Sequence, residues 1–236
     1  IEIPKLKSQD LLMTARYLLS PPRRLLDEMF LIFVDDESIK KTSETWPFRR
    51  RVYADLLNKM KAGTPRVVAF DFVFSGRPAP SDDFLLARAV EASGNVILAS
   101  FIDQEGRYFL PVDEIRWAAR GFGFVNKLLD SDFRVRRSQL FYRDQEGRSI
   151  GRPWEFEILI ALGGLRPEQI EAGEDGLSIP APVSGQRFFV PLDDGKVKIN
   201  YRFGFRDLAR MSFWQALREG KNCVDEITFF DASRLP

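Results

Sequence analysis

Three short apolar runs, separated by amphipathic stretches, constrain this chain more than any other feature. They are LIFV at 31–34, VVAFD at 67–71 and NVILASF at 95–101. Short runs of this kind, apolar on both sides, read as strands covered on both faces. Between the first two, Pro47 sits where a first helical turn tolerates it, and Val52, Leu56, Leu57 and Met60 continue an apolar face as far as Gly63. Before the third, Ser81 is placed to cap a helix with Asp82 and Asp83 in its first turn and Gly94 at its end. Strand, helix, strand over so few residues implies a right-handed parallel crossover. The N-terminal half is therefore expected to be α/β, with Asp35 and Asp71 at one edge of a shared parallel sheet.

The flanking sequence adds helices and antiparallel strands. Residues 6–19 place Leu11, Leu12, Ala15, Leu18 and Leu19 at helical spacing, and Pro21 and Pro22 end that pattern. DQEG at 103–106 and again at 144–147 are turn tetrads between strand-like runs, which points to hairpins. WEFEILIAL at 154–162 reads as a buried helix ended by Gly163 and Gly164, and RFFVPL and KVKINYRF read as late strands. Residues 171–186, rich in Gly, Pro, Glu and Asp, look like an inserted loop rather than a domain boundary. The expected architecture is one domain over residues 1–236, a three-layer α/β/α sandwich whose mixed sheet is parallel at the centre with antiparallel edge hairpins.

Composition removes several functions. Lys and Arg number 35 against 34 Asp and Glu, a net charge of +1, so no whole-molecule field recruits nucleic acid or an acidic membrane. One cysteine, Cys223, cannot form an intramolecular disulfide, and the absence of histidine excludes Cys/His zinc sites and Ser-His or Cys-His pairs. No apolar run approaches the roughly 20 residues needed to span a bilayer. The start at Ile1, without a signal-peptide pattern, reads as a processed or excised, soluble piece.

Few motifs carry chemistry. GFGFVN at 121–126 has two glycines of a dinucleotide fingerprint but lacks the third, so a strand with close backbone packing is favoured, and no cofactor is expected. Arg49–Arg51 and Arg134, Arg136 and Arg137 could meet an anion, yet a solvated face is the commoner explanation for such groups. Asp35, Asp36 and Asp71 are the sharpest signal, because open α/β sheets place ligand sites at strand carboxyl ends. They could ligate Mg²⁺ or Ca²⁺ in a phosphatase-like hydrolase, line a ligand cleft, or only accept hydrogen bonds from loop N–H groups.

Beyond single motifs, an ordered series stands out: LIFVDDESI, TWPFRRRVYADLLNKM, RVVAFDFVFSG with SDDFLLARAV, GNVILAS, GFVNKLLDSDFRVRR and KVKINYRF. Over about residues 26–217 this series resembles type-2 CHASE domains, the extracellular sensory domains of bacterial cyclases and kinases. The resemblance implies an extracytoplasmic signal-input domain, without catalysis, of a cytoplasmic-membrane receptor. It implies a homodimer held through flanking transmembrane helices and a cyclase or kinase output domain in the same polypeptide. A ligand-free dimerisation spacer is the other non-enzyme reading.

Positions that match the family pattern are Asp35, Asp36, Ser38, Trp46, Pro47, Arg49, Asp71, Phe74, Phe124, Val125, Asn126, Asp130 and Asp132. Of these, Asp35, Asp36, Trp46, Arg49, Asp71, Phe74, Asn126, Asp130 and Asp132 are the candidate ligand-binding residues. The signal, small molecule or protein, is left open. Phe74 and Trp46 are candidate cleft walls, with Phe72 and Phe74 as core residues the standing alternative. The sequence departs from the family at Thr45, where Gly is common, and at its end, where NCVDEITFFDASRLP stands before an expected final strand and membrane helices.

Overall fold

A computed structural model describes residues 7–8, 10–15, 29–144, 146–181, 186–199, 201 and 208–219. Residues 7–8 and 10–15 are helical, in keeping with the opening helix. The first strand, β1 (Phe30–Phe33), leads into a short helix α1 (Asp36–Lys41), then α2 (Arg50–Met60), β2 (Val68–Phe70), α3 (Pro80–Ser93) and β3 (Val96–Ile102). β4 (Tyr108–Phe109), α4 (Asp113–Ala118) and β5 (Gly121–Phe124) complete the parallel half. Helix α2 starts three residues after Pro47, not at it: Arg49, extended, is its N-cap. Helix α3 is capped by Ala79 with Pro80 in its first turn, so Ser81 lies inside it, and Gly94 closes it at φ +68°, a conformation that favours glycine.

The parallel core is β2–β3–β5, with β4 antiparallel on the far end of β3. β3 is covered on both faces. Val96 and Leu98 join a core with α2, α3, Tyr53 and Phe213, while Ile97 lies on the opposite side, toward Gly121, and α5 (Trp154–Leu162) packs against β5 and β3. Gly123 confirms the close approach expected of GFGFVN: a Cβ there would lie 2.6 Å from Trp154 Cα.

Two expectations are corrected. β1 pairs in parallel with β13 (Ala209–Ser212), not with β2, so Asp35 and Asp71 do not end adjacent hydrogen-bonded strands. The reason is that β1 finds its partner in a strand almost 180 residues downstream, which no local crossover argument detects. The second concerns extent: the expected mixed sheet, parallel at its centre with an antiparallel edge, is β2–β3–β5 with β4, but the other described strands do not join it and fall into three further sheets. The largest antiparallel one runs β6 (Arg137–Gln139), β12 (Lys196–Lys198), β11 (Arg187–Asp193), β10 (Gly176–Pro180), β9 (Glu171–Ala172), and β7 (Tyr142–Arg143) pairs with β8 (Ser149–Gly151) separately. The presumed insertion at 171–186 thus supplies β9 and β10. Helix α6 (Phe213–Glu219) follows β13 and seats Phe213 in the core; Cys223 and the closing NCVDEITFFDASRLP lie outside the described residues.

Both turn tetrads fold alike. Asp103 Oδ1 accepts the N–H groups of Glu105 and Arg107 at 3.0 and 2.9 Å, and Asp144 Oδ1 accepts those of Glu146 and Arg148 at the same distances. An aspartate that bonds its own backbone two and four residues on fixes a tight turn locally, which is why these hairpins are readable from sequence.

Candidate functional site

Asp35 closes β1 and caps α1. Its Oδ1 accepts the Ser38 N–H at 2.8 Å, the Ser38 hydroxyl at 2.7 Å and the Ser212 hydroxyl at 2.9 Å. Burial disfavours its charge, but these hydrogen bonds outweigh that and hold the carboxyl below the usual aspartate range. Since Ser212 ends β13, Asp35 ties α1 to the β1–β13 pair. Asp36 is exposed in the first turn of α1, and Asp71 is exposed just after β2. Among the described residues no group of three or more carboxylates is arranged to hold a metal ion.

The expected solvated arginine face is overturned at Arg50, which is only 6% exposed. Arg50 donates to Asp83 Oδ1 at 2.5 Å and to the carbonyls of Ser75 and Gly76, at 2.7 and 2.9 Å. Beside it, Arg49 grips Asp82 with two hydrogen bonds of 2.7 and 2.9 Å. Together they fasten the start of α2 to the start of α3, and Arg50 also pins the loop that follows Asp71. The carboxylates favour the α3 N-terminus for a second reason, since its unpaired N–H groups carry partial positive charge. Sequence reading placed Asp82 and Asp83 in that first turn but missed their arginine partners.

Phe74 is 4% exposed and packs on Tyr53 and Phe70, with ring centroids 5.2 and 5.6 Å away. It is a core residue, as the alternative reading had it, because the chain after β2 folds back over α2. Burial drives the Tyr53 hydroxyl up to about 12. Trp46 remains 42% exposed, edge-on to Phe48 and Phe72.

The GFVN segment holds the other named residues. Asn126 accepts the Ile102 N–H at 2.9 Å and donates to the Ile102 carbonyl at 2.7 Å, so its amide extends the β3–β5 pairing. Asp130 and Asp132 surround Arg136, which is 4% exposed and also bonds Asp10 of the opening helix. The exposed hairpin side expected for Arg134 and Arg136 is thus corrected: Arg136 turns inward because three carboxylates offset the cost of burying it. Burial opposes the charge on Asp130, yet Arg137 and Arg136 outweigh it and keep the carboxyl low, and Arg136 holds Asp132 down to about 2. The only sequence signal was the pairing of DSD with RR, a few residues apart.

The expected cleft lay beside Asp35 and Asp71, at the ends of β1 and β2. A depression of about 540 Å³ lies along α2, bordered by Thr42, Glu44, Arg51, Asp55, Lys59 and Leu217; of the residues named from sequence it takes in Arg51 and Val52, but none of the nine candidate ligand-binding residues.

The described residues define a mixed α/β fold, parallel at its heart and braced by paired arginines and aspartates. The whole chain settles the class further: a family model described as the CHASE2 domain matches residues 2–234, and the chain belongs to this family. CHASE2 domains are extracellular sensory modules of cyclase and kinase receptors, a sensory rather than catalytic family. No curated protein and no solved structure matches the chain. Among the described residues no helix is long and apolar enough to cross a membrane.

Proposed function

We propose that the chain is the extracytoplasmic signal-input domain of a bacterial transmembrane receptor, with a cyclase or kinase output domain in the same polypeptide. The observation that carries this reading is the family match over essentially the whole chain. Residues 1–236 act as one layered α/β/α unit, and flanking transmembrane helices join two copies. A small molecule or protein that binds one arrangement of the dimer better than the other shifts the population, and only that difference in affinity can change output.

Within this reading the named residues divide by what they already hold. Asp35, Arg49, Asn126, Asp130 and Asp132 brace the scaffold, and Phe74 fills its core. Asp36, Trp46 and Asp71 remain exposed to meet a signal. The link from Arg136 to Asp10 supplies a route from the GFVN segment to the opening helix. The test is the output activity of the intact receptor after this domain is deleted, and after Trp46→Ala and Asp71→Ala. Output that is indifferent to deletion overturns the sensory role.

A further inference from the structure

Helix α2 carries Arg51, Asp55, Asn58 and Lys59 at positions i, i+4, i+7 and i+8, one stripe along the depression. Glu44 faces Arg51 across it and bonds that guanidinium, while the Lys59 ammonium donates to the Leu217 carbonyl in the last turn of α6. These contacts leave capacity in reserve. Arg51 keeps further N–H donors and Lys59 keeps two. The side chains of Asp55 and Asn58 have no hydrogen bond or ion pair among the described residues. The Thr42 hydroxyl, at the wall, is shielded from solvent and has no hydrogen-bond partner among the described residues, a state buried polar atoms rarely keep.

The charges specify an occupant. Arg51 and Lys59 balance Glu44 and Asp55, so the lining is neutral overall yet carries both signs. A ligand with one charge would leave part of it unmatched; a molecule with separated charges meets both. No aromatic side chain lines the depression among the described residues, so nothing is present to cage a methylated ammonium. A volume of about 540 Å³ lies within the range of small-molecule sites. We propose that this depression binds a small zwitterion of the amino-acid class. Its primary ammonium sits on Asp55 and the Asn58 amide oxygen, its carboxylate on Lys59 and Arg51, and its carbon skeleton against Val52 and Leu217. Because the carboxylate would be held by the same Lys59 ammonium that donates to the Leu217 carbonyl, occupancy is felt at the C-terminal end of α6. That consequence for signalling rests on the sensory reading; the binding itself does not.

Isothermal titration of the 236-residue chain with glycine, L-alanine, L-serine, L-glutamate and L-lysine tests it. The expected result is saturable binding of at least one, weakened about tenfold or more by Asp55→Asn and by Lys59→Met. N-acetylation or carboxyl amidation of the same molecule should abolish it. Asp55 and Lys59 are exposed, so both variants should keep the parent melting curve, and that curve is the fold control. No saturable binding up to about 10 mM overturns the proposal, as does binding that survives both variants or is lost only in Asp71→Ala. Such a failure leaves the sensory role standing, since that role is read from receptor output after domain deletion.

Discussion

Strands β3 and β11 have the same length and opposite fates. β3, Val96–Ile102, is essentially sealed from Val96 to Ser100, whereas β11, Arg187–Asp193, exposes Phe188 and Phe189, neighbours on opposite faces, by 59% and 64%. Apolar content does not separate VILASFI from RFFVPLD by that much. What separates them is connection. Parallel strands are joined through crossovers that bring helices onto the sheet, while hairpin-linked strands form without any such cover. The parallel half is therefore where stability should reside, and the antiparallel half presents surface.

The largest effect that sharpens this contrast is expected from Asp83→Ala, which leaves the buried Arg50 without its carboxylate. It should lower unfolding free energy by roughly 3–5 kcal/mol in chemical denaturation. The double change Arg50→Met with Asp83→Leu should recover most of that, because a well-packed apolar pair avoids the desolvation cost. Next comes Leu98→Ala, at the fully buried centre of β3. It should cost roughly 2–5 kcal/mol from lost burial and the cavity left behind. A cost below 1 kcal/mol would break the argument that β3 anchors the fold.

The Arg136 network should show in acid. Arg136 holds Asp132 down to about 2 from the ordinary 3.8, and it also keeps Asp10 low. Groups with depressed folded pKa values add stability that is fully present above the unfolded value and lost as pH falls through the folded one. Melting temperature should therefore decline between about pH 4 and pH 2, and Arg136→Met should flatten that limb. An unchanged acid limb in the variant would remove the network from the stability account. The smallest effects are expected on β11, where Phe188→Ser and Phe189→Ser should each stay within about 0.5 kcal/mol of the parent. A loss of several kcal/mol from either would show that the antiparallel half carries stability too.

Much of the scaffold was legible because its signals are local. The three apolar runs became β1, β2 and β3, both aspartate turns formed, and WEFEILIAL became α5 with its stated bounds. The candidate site was less legible. Arg50 looked like a surface residue because its carboxylate, Asp83, lies 33 positions away, and Arg136 did so although Asp130 and Asp132 are near in sequence, because the third carboxylate, Asp10, lies 126 positions away. Asp35 read as an acidic strand end, and its cap on Ser38 is local, but its bond to Ser212 spans 177 positions.

The sequence by itself determined the three apolar strands, the main helices of the parallel half, both aspartate turns and the family, because periodicity and an ordered series of motifs are properties of neighbouring residues, whereas β9 and β10 read as a loop. Tertiary structure alone decided that β1 joins β13, that Phe74 enters the core, that two arginines are buried, and that a depression forms along α2. Each of these depends on which distant segment arrives opposite, and that is set by the packing of the whole chain rather than by any residue's own preference.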